Sequence, residues 1–599
     1  MYSHGGVGRT CPFDGADLES VSTGASLGHR SVHFRHLGGD GPLCRCGDGD
    51  ATSDYERRAN TRKLLSKLAK RMGEARPADE PEFNPDIPAG YTYLGQLIAH
   101  DMVMSETSLA NARINPELLR NHRTERLLLE TVYGGGPEIT PHVYALETYA
   151  DTARITLRLG RAMHANLAER SGWPLRDIAR VMSPDFDAAF GQDGVAPNAE
   201  AERLQERAFT NDAVYIGEKP KARTALIADP RNDDNLVISQ LLVLFHIAHN
   251  VLANRLLADG TTLPDGDPRR LTARNRPRVF RVARKLLVRV WRRIIREDYL
   301  KRLLHPKVHA AYASGAQPWT CRFDDASDRR MPVEFSHGAF RMGHAMVRER
   351  YELSVFPDTD TAFESRLEEL LNLTSSGTKP DFPLVSEWLI RWSKFFEFPS
   401  DMTTDTGVPL PTPQPSRRLR PTVAEAMTPM NLRGDGYGKG LPYRDLVSAV
   451  EMGVRTASSL ADQIREVFGD DARDALGADS GHGLEAEIAA WLKNGVTDFR
   501  EEEIAAIAAD PPLPFYVLFE AEHRADGAHL GYLGSVILAE TFAHALAGTE
   551  IYLEDDTIAS HWEAQTGLDA VADIPGLFRF LLANRELAEP YGFDIVPLV

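Results

Sequence analysis

The chain has 599 residues, which on a prior of roughly 150 residues per domain predicts about four domains. Hydrophobic residues make up 43% and charged residues 26%, values that exclude disorder, collagen and coiled coil for the chain as a whole. Its 86 acidic and 68 basic side chains give a net charge of −18, which argues against a general polyanion binder such as a nucleic-acid-binding protein. Four cysteines are too few for a disulfide-stapled scaffold.

The first 55 residues predict an irregular N-terminal arm, because they are rich in Gly, Asp, Ser and His and show little periodicity. Residues 1–6 lead into no apolar run, so we expect no secretory signal, and no run of about 18 apolar residues predicts a membrane span. We therefore expect a cytoplasmic protein, with non-classical secretion left open. Cys44 and Cys46 lack a second pair to complete a metal site, and we interpret them as incidental thiols.

From residue 54 onward, apolar residues recur at helical spacing and strand-like alternation is scarce. The sequence therefore predicts a mainly α fold with little β-structure, and a turn cluster at residues 84–90. The predicted helices, in chain order, are 55–72, 91–104, 147–168, 235–258, 277–304, 363–373, 385–396, 443–468, 484–493 and 533–547.

The helix predicted at 277–304 carries a run of Arg and Lys beside its apolar stripe. A nucleic-acid-binding face would fit such a run. However, Phe280 and Trp291 fall on or beside the apolar stripe, and the protein is acidic. We therefore interpret the basic face as solvated or ion-paired.

Gln96 and His100 are the first candidates for a chemical site, because they lie four residues apart in a predicted helix and share one face. Their neighbours are apolar, and desolvation keeps a buried histidine neutral, which suits a proton acceptor near neutral pH. A core histidine satisfied by a backbone partner would give the same pattern. For one histidine alone, that plain explanation is the stronger.

Arg231 is the second candidate, in a polar loop that follows Asp229 and Pro230 and precedes a long helix. It is either a fixed cation at the mouth of a pocket or the partner of a carboxylate in a helix-capping loop. The capping loop is the simpler explanation for this segment taken alone.

Two later segments carry similar signals. Arg341 and His344 lie three residues apart in a helical pattern, and Gly343 leaves room for something flat to pack closely. Asn431 opens a loop, where an asparagine often only caps or turns the chain. Each segment alone is again explained by ordinary core packing or turn formation.

Together and in this order, the segments resemble the animal-type haem peroxidases (the peroxidase–cyclooxygenase superfamily), in particular their bacterial members. A collinear set of this kind is far more specific than any one motif. The resemblance implies a helical catalytic domain over residues 56–599 with b-type haem at its centre. The matching stretches are 85–101, 132–137, 229–250, 340–344, 431–442, 514–516 and 530–540.

The resemblance implies a role for each candidate. His100 matches the distal histidine, Gln96 the distal glutamine that helps to hold water or halide, and Arg231 the distal arginine. His344 matches the proximal iron ligand. Asn431 matches its hydrogen-bond partner, a neutral acceptor that implies less imidazolate character than a carboxylate would give.

The implied activity is that of a haem peroxidase, which reduces hydrogen peroxide and oxidises a small phenolic, halide or metabolite donor through a ferryl intermediate. One neutral imidazole can move the peroxide proton, and a cation stabilises the charge that develops as the O–O bond breaks. Arg341 matches the arginine three residues before the iron ligand, and Arg433 the residue on the haem-propionate side.

Three positions depart from the family. Ala99 stands where many relatives have an aspartate that forms an ester to haem, and Asp234 replaces a glutamate that forms a second ester in some of them. Asn235 replaces the methionine of the most halide-active members. We therefore predict at most one ester link, through Asp234, and we do not expect chloride oxidation.

The family's calcium site is also reduced. Asp101 and Thr124 match two of its ligands and Glu130 is a further candidate, but Leu128 stands where relatives place a carboxylate. These oxygens are few for a cation that prefers six to eight. Calcium binding is left open.

Two other functions are left open as alternatives. Fatty-acid dioxygenases of the superfamily use a tyrosine radical three residues before the proximal histidine, where this chain has Arg341, which favours a peroxidase unless another tyrosine near the haem substitutes. A non-catalytic haem-binding protein would fit Ala99 and the reduced calcium loop, but the joint presence of the other site residues argues against it. The donor and the oligomeric state are not predicted.

The resemblance also revises the domain estimate. His100 and His344 are 344 − 100 = 244 residues apart, yet both must face one iron atom. This requirement folds most of the chain into one domain around one cofactor.

Overall fold

α-Helices dominate the computed structural model, and the mainly α class is confirmed. The structure describes residues 32–37, 42–43, 54–75, 82–105, 120–145, 155–161, 176–180, 224–258, 276–315, 319–356 except 323, 326 and 329, 361–374, 384, 388–403, 407, 409–428, 440–476, 484–547 and 555–588. The predicted site residues Asn431 and Arg433, and the thiols Cys44 and Cys46, lie outside these residues.

Most of the predicted helices are present in the described residues. The α-helices are α1 (Asp54–Met72), α2 (Gly90–Met102), α3 (Glu130–Tyr133), α4 (Leu236–Ala258), α5 (Arg276–Ile294), α6 (Leu300–Leu303), α7 (Pro306–Ala313), α8 (Leu367–Asn372), α9 (Gly440–Glu451), α10 (Ala457–Phe468), α11 (Asp470–Leu476), α12 (Glu485–Lys493), α13 (Glu501–Ala509), α14 (Leu513–Ala525), α15 (Tyr532–Leu546), α16 (Asp556–Thr566), α17 (Ile574–Ala583) and α18 (Arg585–Ala588).

The described strands are short and pair two by two, all antiparallel. The pairs are β1 (Val32–His33) with β3 (Arg120–Asn121), β2 (Phe83–Pro88) with β8 (Pro415–Arg417), β4 (Leu159–Arg161) with β5 (Arg176–Ile178), and β6 (Arg350–Phe356) with β7 (Thr361–Arg366).

Helix α4 lies in the middle of one continuous core of buried apolar side chains. Every residue from 236 to 253 is buried, as expected for a helix that is apolar on all sides. The neighbouring helix α5 packs on it, with Trp291 edge-on to Phe245 at 5.2 Å between ring centroids. In the described part of the chain, α4 has the length and hydropathy of a membrane span, but its apolar window is wholly buried inside the protein.

Part of the predicted N-terminal arm packs against the helices. Leu37 is fully buried, and its backbone N–H donates to the buried carboxylate of Glu334 at 2.8 Å. His36 Nδ1 lies 2.9 Å from the same carboxylate. The division of the chain at residues 55 and 56 stays a prediction.

The basic face of α5 is ion-paired, as the sequence predicts. Arg278 and Arg281 both bind Asp555, at 2.9 and 3.0 Å, and the Asp555 side chain has no solvent exposure. Further along α5, Arg289 and Arg293 pair with Glu563 of α16. This surface is therefore an internal contact between helices.

Several predicted elements are wrong. Residues 155–161, predicted as part of a helix, are extended and end in β4, because the side chain of Asn250 bonds both the N–H and the C=O of Leu157. The apolar residues there alternate with period two, which is typical of a strand. Residues 84–88, predicted as a turn, lie in β2. Residues 363–366, predicted as the start of a helix, form the end of β7, because pairing with β6 overrides local helix propensity.

Two more helices are shorter than predicted. The described residues of 385–396 form turns and a single 3₁₀ turn at Trp392–Lys394, held by packing of their aromatic rings. The helix predicted at 443–468 is broken into α9 and α10. Gly453 there has a φ of +63°, and Thr456 starts α10 by accepting a hydrogen bond from Ser459 N–H.

Candidate active site

One cavity of about 250 Å³ brings together most of the candidate residues that the structure describes. It lies between α2, the loop before α4, the 3₁₀ helix Ala339–Met346 and α9. Its polar lining includes Gln96, His100, Arg231, Asp234, Asn235, Arg341, His344, Arg444, Asp445 and Ser448. Two histidines from elements far apart in sequence thus line one space.

His100 sits in the last turn of α2 and is 8% exposed. Its Nδ1 lies 2.9 Å from Oδ1 of Asn232. Burial, helped by the nearby Arg231 cation, lowers the pKa of His100 to about 3. The imidazole is therefore neutral at physiological pH.

Asn232 fixes which nitrogen of His100 carries the proton. Its Nδ2 donates to the backbone O and to Oγ1 of Thr131, both at 2.9 Å, so its Oδ1 must face the histidine as an acceptor. Nδ1 of His100 is then the protonated nitrogen, and Nε2 keeps a free lone pair. This is the tautomer required of a base at the cavity.

The guanidinium of Arg231 is fixed by hydrogen bonds to one carboxylate and two backbone oxygens. Its Nε and one terminal nitrogen bind the carboxylate of Asp229, and its other donors reach the backbone oxygens of Val103 at 2.8 Å and His100 at 3.0 Å. Arg123 binds the same carboxylate. Burial alone would raise the pKa of Asp229, but the two arginines outweigh it and hold that pKa below its usual range. The three groups together carry one net positive charge.

Gln96 and Asn235 form a pair at the cavity wall. The Nδ2 of Asn235 donates to Oε1 of Gln96 at 3.0 Å, and its Oδ1 caps α4 by accepting from Ile238 N–H at 2.9 Å. The capping role anticipated for this loop is therefore confirmed for Asn235. Because Oε1 is engaged, Gln96 can offer its Nε2–H groups as donors to a ligand.

His344 also lines the cavity, from the 3₁₀ helix Ala339–Met346. Its Nδ1 lies 2.6 Å from Oδ2 of Asp445, a residue of α9, and Nε2 remains available to a ligand. Arg341 lies 3.8 Å from Oδ1 of the same aspartate. Among the described residues, the carboxylate of Asp445 is thus the partner of His344. The predicted partner Asn431 lies outside the described residues.

Two tyrosines and several apolar side chains complete the lining. Tyr93 and Tyr299 both line the cavity and are almost fully buried. The hydroxyl of Tyr299 lies so close to α2 that a Cβ at Gly95 would meet it at 2.4 Å. The apolar side chains at the cavity are Val103, Phe340, Met342, Val347, Leu367, Leu371, Met427 and Leu441.

Comparisons with known proteins point to one family. The family model described as "Animal haem peroxidase" matches residues 191–385, a segment that contains Arg231 and His344. This match covers about a third of the chain. This confirms the resemblance to the peroxidase–cyclooxygenase superfamily, whose members are oxidoreductases. The bacterial subtype stays a prediction.

Solved structures also resemble this chain. Peroxidase A from Dictyostelium discoideum superposes with a TM-score of 0.51 at 12% identity, over 95% of this chain and 94% of that chain. Fatty acid alpha-dioxygenases from Oryza sativa and Arabidopsis thaliana give TM-scores of 0.49 and 0.47 at 12% and 11% identity. They cover 94% and 92% of this chain, and 88% and 79% of their own chains. No curated protein matches the chain in sequence.

The animal haem peroxidase family implies haem, and the residues around the cavity fit that group. His344 offers Nε2, the nitrogen donor that haem iron takes from a proximal histidine. A Cβ on the neighbouring Gly343 would meet no atom within 4 Å, so open space adjoins the backbone beside this ligand. Arg341 and Arg444 line the same cavity and supply cations for carboxylate groups.

The calcium candidates are Asp101 at the end of α2, Thr124 in the segment that follows, and Glu130 at the start of α3. Asp101 accepts from the N–H groups of Leu129 and Trp291, and burial, with Glu130 nearby, raises its pKa to about 6. Thr124 N–H donates to Glu130, while Oγ1 of Thr124 and Oε1 of Glu130 are buried without a hydrogen-bond partner. Two buried oxygens without a hydrogen-bond partner, next to the Asp101 carboxylate, are suitable ligands for a hard cation. The fit is only partial, because calcium prefers six to eight oxygen ligands.

A second cluster of potential metal ligands contains Cys321, Glu540 and His544, whose ligand atoms lie within 4.8 Å of one another. The guanidinium of Arg35 lies 3.2 Å from Nε2 of His544 and also binds Asp324. Burial raises the pKa of the Cys321 thiol to about 12. A cationic side chain and a protonated thiol already occupy this cluster, so we assign no metal to it.

Asn232, Arg444 and Asp445 were not predicted from the sequence as site residues. Asn232 adjoins Arg231 in a polar loop, and that position was its only signal. Asp445 follows the Gly440–Pro442 segment but looks like any acidic residue on a helix surface. Its role depends on a contact between residues 101 positions apart in sequence.

Proposed function

We propose that this chain is a haem peroxidase that reduces hydrogen peroxide and oxidises a small organic or halide donor. The observation that carries the proposal is that His100 and His344 line one cavity from separate elements, each with Nδ1 engaged and Nε2 available. Such an arrangement can serve a flat metal cofactor with a ligand on one face and a base on the other.

Haem would bind with Nε2 of His344 on its iron and with its propionates near Arg341 or Arg444. Once bound, haem supplies the redox chemistry, taking the oxidising equivalents of peroxide and passing them to a donor. The protein's contribution is to hold the ligand, orient the peroxide and move its proton.

His100 is the proton carrier. Nε2 would take the proton from one oxygen of the peroxide and return it to the other oxygen, which would leave as water when the O–O bond breaks. Because Asn232 fixes the protonated nitrogen as Nδ1, no tautomer change precedes the transfer. Gln96 donates to the bound peroxide or to a water beside it.

Arg231 acts chiefly through His100. Its hydrogen bond to the His100 backbone oxygen and its contact with Val103 fix the end of α2, and the charge it adds keeps the imidazole neutral. Its ion pair with Asp229 weakens its field at the peroxide. We therefore expect Arg231 to contribute more to positioning than to charge stabilisation.

A fatty-acid dioxygenase is the second candidate, because Tyr93 and Tyr299 line the cavity beside an apolar wall. Either could supply the radical that Arg341 cannot. A dioxygenase would consume oxygen with linoleate in the absence of added peroxide, whereas a peroxidase oxidises donors only when peroxide is present.

The deciding experiment uses haem-reconstituted protein with phenols, bromide, iodide and linoleate, with peroxide and with oxygen alone. We expect peroxide-dependent donor oxidation that falls by roughly 10²–10⁴-fold in His100→Ala. His561→Ala, on the partly exposed helix α16, is the matched control and should keep full activity. Oxygen uptake with linoleate that is lost in Tyr299→Phe or Tyr93→Phe would replace the proposal with the dioxygenase, and a haem spectrum unchanged by peroxide would indicate a non-catalytic haem-binding protein.

We also propose that the haem carries at most one ester link. Ala99 and Asp234 both line the cavity, and only Asp234 has a carboxylate to form such a link. Extraction with acidified organic solvent should release haem completely from Asp234→Asn. Haem retained by that variant would contradict the proposal.

Calcium is proposed as a structural ion at Asp101, Thr124 and Glu130. Addition of calcium to chelator-treated protein should raise the melting temperature of the wild type and not that of Glu130→Gln. An equal response of the two proteins would remove calcium from this site.

A further inference from the structure

The partner of His344 in the structure is a carboxylate. Oδ2 of Asp445 lies 2.6 Å from Nδ1 of His344, the short distance of a hydrogen bond to a charged acceptor. The residue that the family resemblance places in this role, Asn431, has a neutral amide. The two partners differ by one full negative charge next to the iron ligand.

The surroundings of Asp445 keep its carboxylate in place. The residue lies in α9 between the buried side chains of Tyr443 and Leu446, and it is itself 7% exposed. Its second oxygen lies 3.8 Å from the Arg341 guanidinium, which compensates the charge. A carboxylate with both oxygens facing donors on a packed helix is a fixed acceptor.

We propose that Asp445 is the positioning residue of the proximal ligand: it orients His344 by accepting from Nδ1–H and gives the imidazole more imidazolate character than an amide would. This inference rests on the proposed function, because it requires His344 to ligate haem iron through Nε2.

The expected consequence is electronic. A stronger acceptor at Nδ1 makes Nε2 a better electron donor, which stabilises ferric over ferrous iron and lowers the reduction potential. Second-sphere partners of this kind also hold the ligand for binding, and their loss typically costs about 10–100-fold in metal or cofactor affinity.

The test compares haem-reconstituted wild type with Asp445→Asn, an isosteric change that removes the charge and keeps an acceptor. We expect the ferric/ferrous equilibrium of Asp445→Asn to move at least tenfold towards ferrous, about 59 mV for one electron. The iron–histidine stretching band of the ferrous protein should move to lower frequency. The control is Glu451→Gln, which removes one carboxylate from the same helix α9 at a residue paired with Arg62; it should leave both quantities unchanged.

Two further variants keep the test decisive if Asp445→Asn does not fold. Asp445→Glu keeps a carboxylate and should retain a potential closer to the wild type than to Asp445→Asn. Asp445→Ala should bind haem about 10–100-fold more weakly. The inference is overturned if Asp445→Asn behaves like Glu451→Gln, or if Asn431→Ala shifts the potential and the band while Asp445→Asn does not.

Failure of the proposed function has a different signature. Wild-type protein that binds no haem, or His344→Ala protein with an unchanged iron–histidine band, would remove His344 as the ligand and overturn the inference along with the function. A wild-type band that is lost in His344→Ala but unmoved in Asp445→Asn overturns only the inference about Asp445.

Discussion

At the scale of single residues, the chemistry at His100 is set by its neighbours more than by its own identity. Burial lowers the pKa of His100, so the imidazole is neutral and carries one N–H group. Asn232 determines that this group is Nδ1–H. Thr131 in turn decides which way the Asn232 amide points. These hydrogen bonds make Asn232 the residue that sets the tautomer of His100.

Replacement of Asn232 by alanine should therefore slow the reaction with peroxide. Without its acceptor, the imidazole can protonate at Nε2 or rotate, so we expect the bimolecular rate constant with peroxide to fall by roughly 10-fold or more. Haem affinity should be unchanged because the hydrogen bonds of the Asn232 side chain go to His100 and Thr131, and not to His344. Stopped-flow absorbance checks the rate, with the exposed Asn494→Ala as control; equal rates in the two variants would refute the role.

The low pKa of His100 predicts an unusual pH profile. Its folded value of about 3 is below the ordinary 6.5, so the base stays neutral and active as the pH falls through 6.5. The rate constant with peroxide should be flat from about pH 4.5 to 7.5. Below pH 6.5, His100 is protonated in the unfolded chain but not in the native state. The free energy of unfolding should therefore decrease as the pH falls from 6.5 towards 3. A rate that is lost with a midpoint near 6.5 would contradict the burial argument.

Sequence patterns identified the side chains of the site but not the contacts that tune them. Gln96, His100, Arg231 and His344 carry the family's order along the chain, and the structure brings all four to one cavity. Asp445 and Asn232 act through single long-range hydrogen bonds, which no local pattern encodes. The same limit applies to Arg231, whose ion pair with Asp229 is visible only in three dimensions.

At the scale of elements, helices with strong apolar periodicity were predicted well and extended segments were not. Helix α5 is long enough for its apolar period to be clear, and helix α4 is recognisable as one long apolar run. Residues 155–161 form a short segment whose period-two pattern is easily read as part of a helix, and their backbone conformation is fixed by Asn250, a side chain distant in sequence. Helix breaks are governed by single residues such as Gly453, which a window of apolar spacing overlooks.

The contact between α5 and the start of α16 offers a test at this scale. Asp555 has no exposed side-chain area and binds both Arg278 and Arg281. Asp555→Asn should lower the free energy of unfolding by roughly 3 kcal/mol, because it leaves two arginines without their counter-charge in a partly buried contact. Urea denaturation measures the loss.

The control for this substitution is Asp471→Asn, which breaks an ion pair with Lys307 whose two side chains are both more than half exposed. It should cost less than about 1 kcal/mol. If the two variants lose equal stability, the basic face of α5 is not the structural contact described here.

At the scale of the whole molecule, the cavity adjoins a large apolar core. Among the residues that the structure describes, buried apolar side chains from Leu37 to Leu581 belong to one cluster, and several members of that cluster line the cavity. Residues from α2, the loop before α4, the 3₁₀ helix and α9 reach the same space. A cofactor bound there would stabilise all of these elements at once, since any ligand of the native state alone shifts the folding equilibrium.

The central claim is that His344 ligates haem in this cavity with His100 opposite. The most direct measurement is the absorption spectrum of haem-reconstituted protein before and after addition of peroxide, for wild type, His344→Ala, His100→Ala and the control His561→Ala. The account predicts a Soret band that shifts with peroxide in wild type and control, a band that is lost or altered before peroxide in His344→Ala, and a normal band with a greatly slowed response in His100→Ala. A wild-type spectrum that His344→Ala reproduces, with the same response to peroxide, would contradict it.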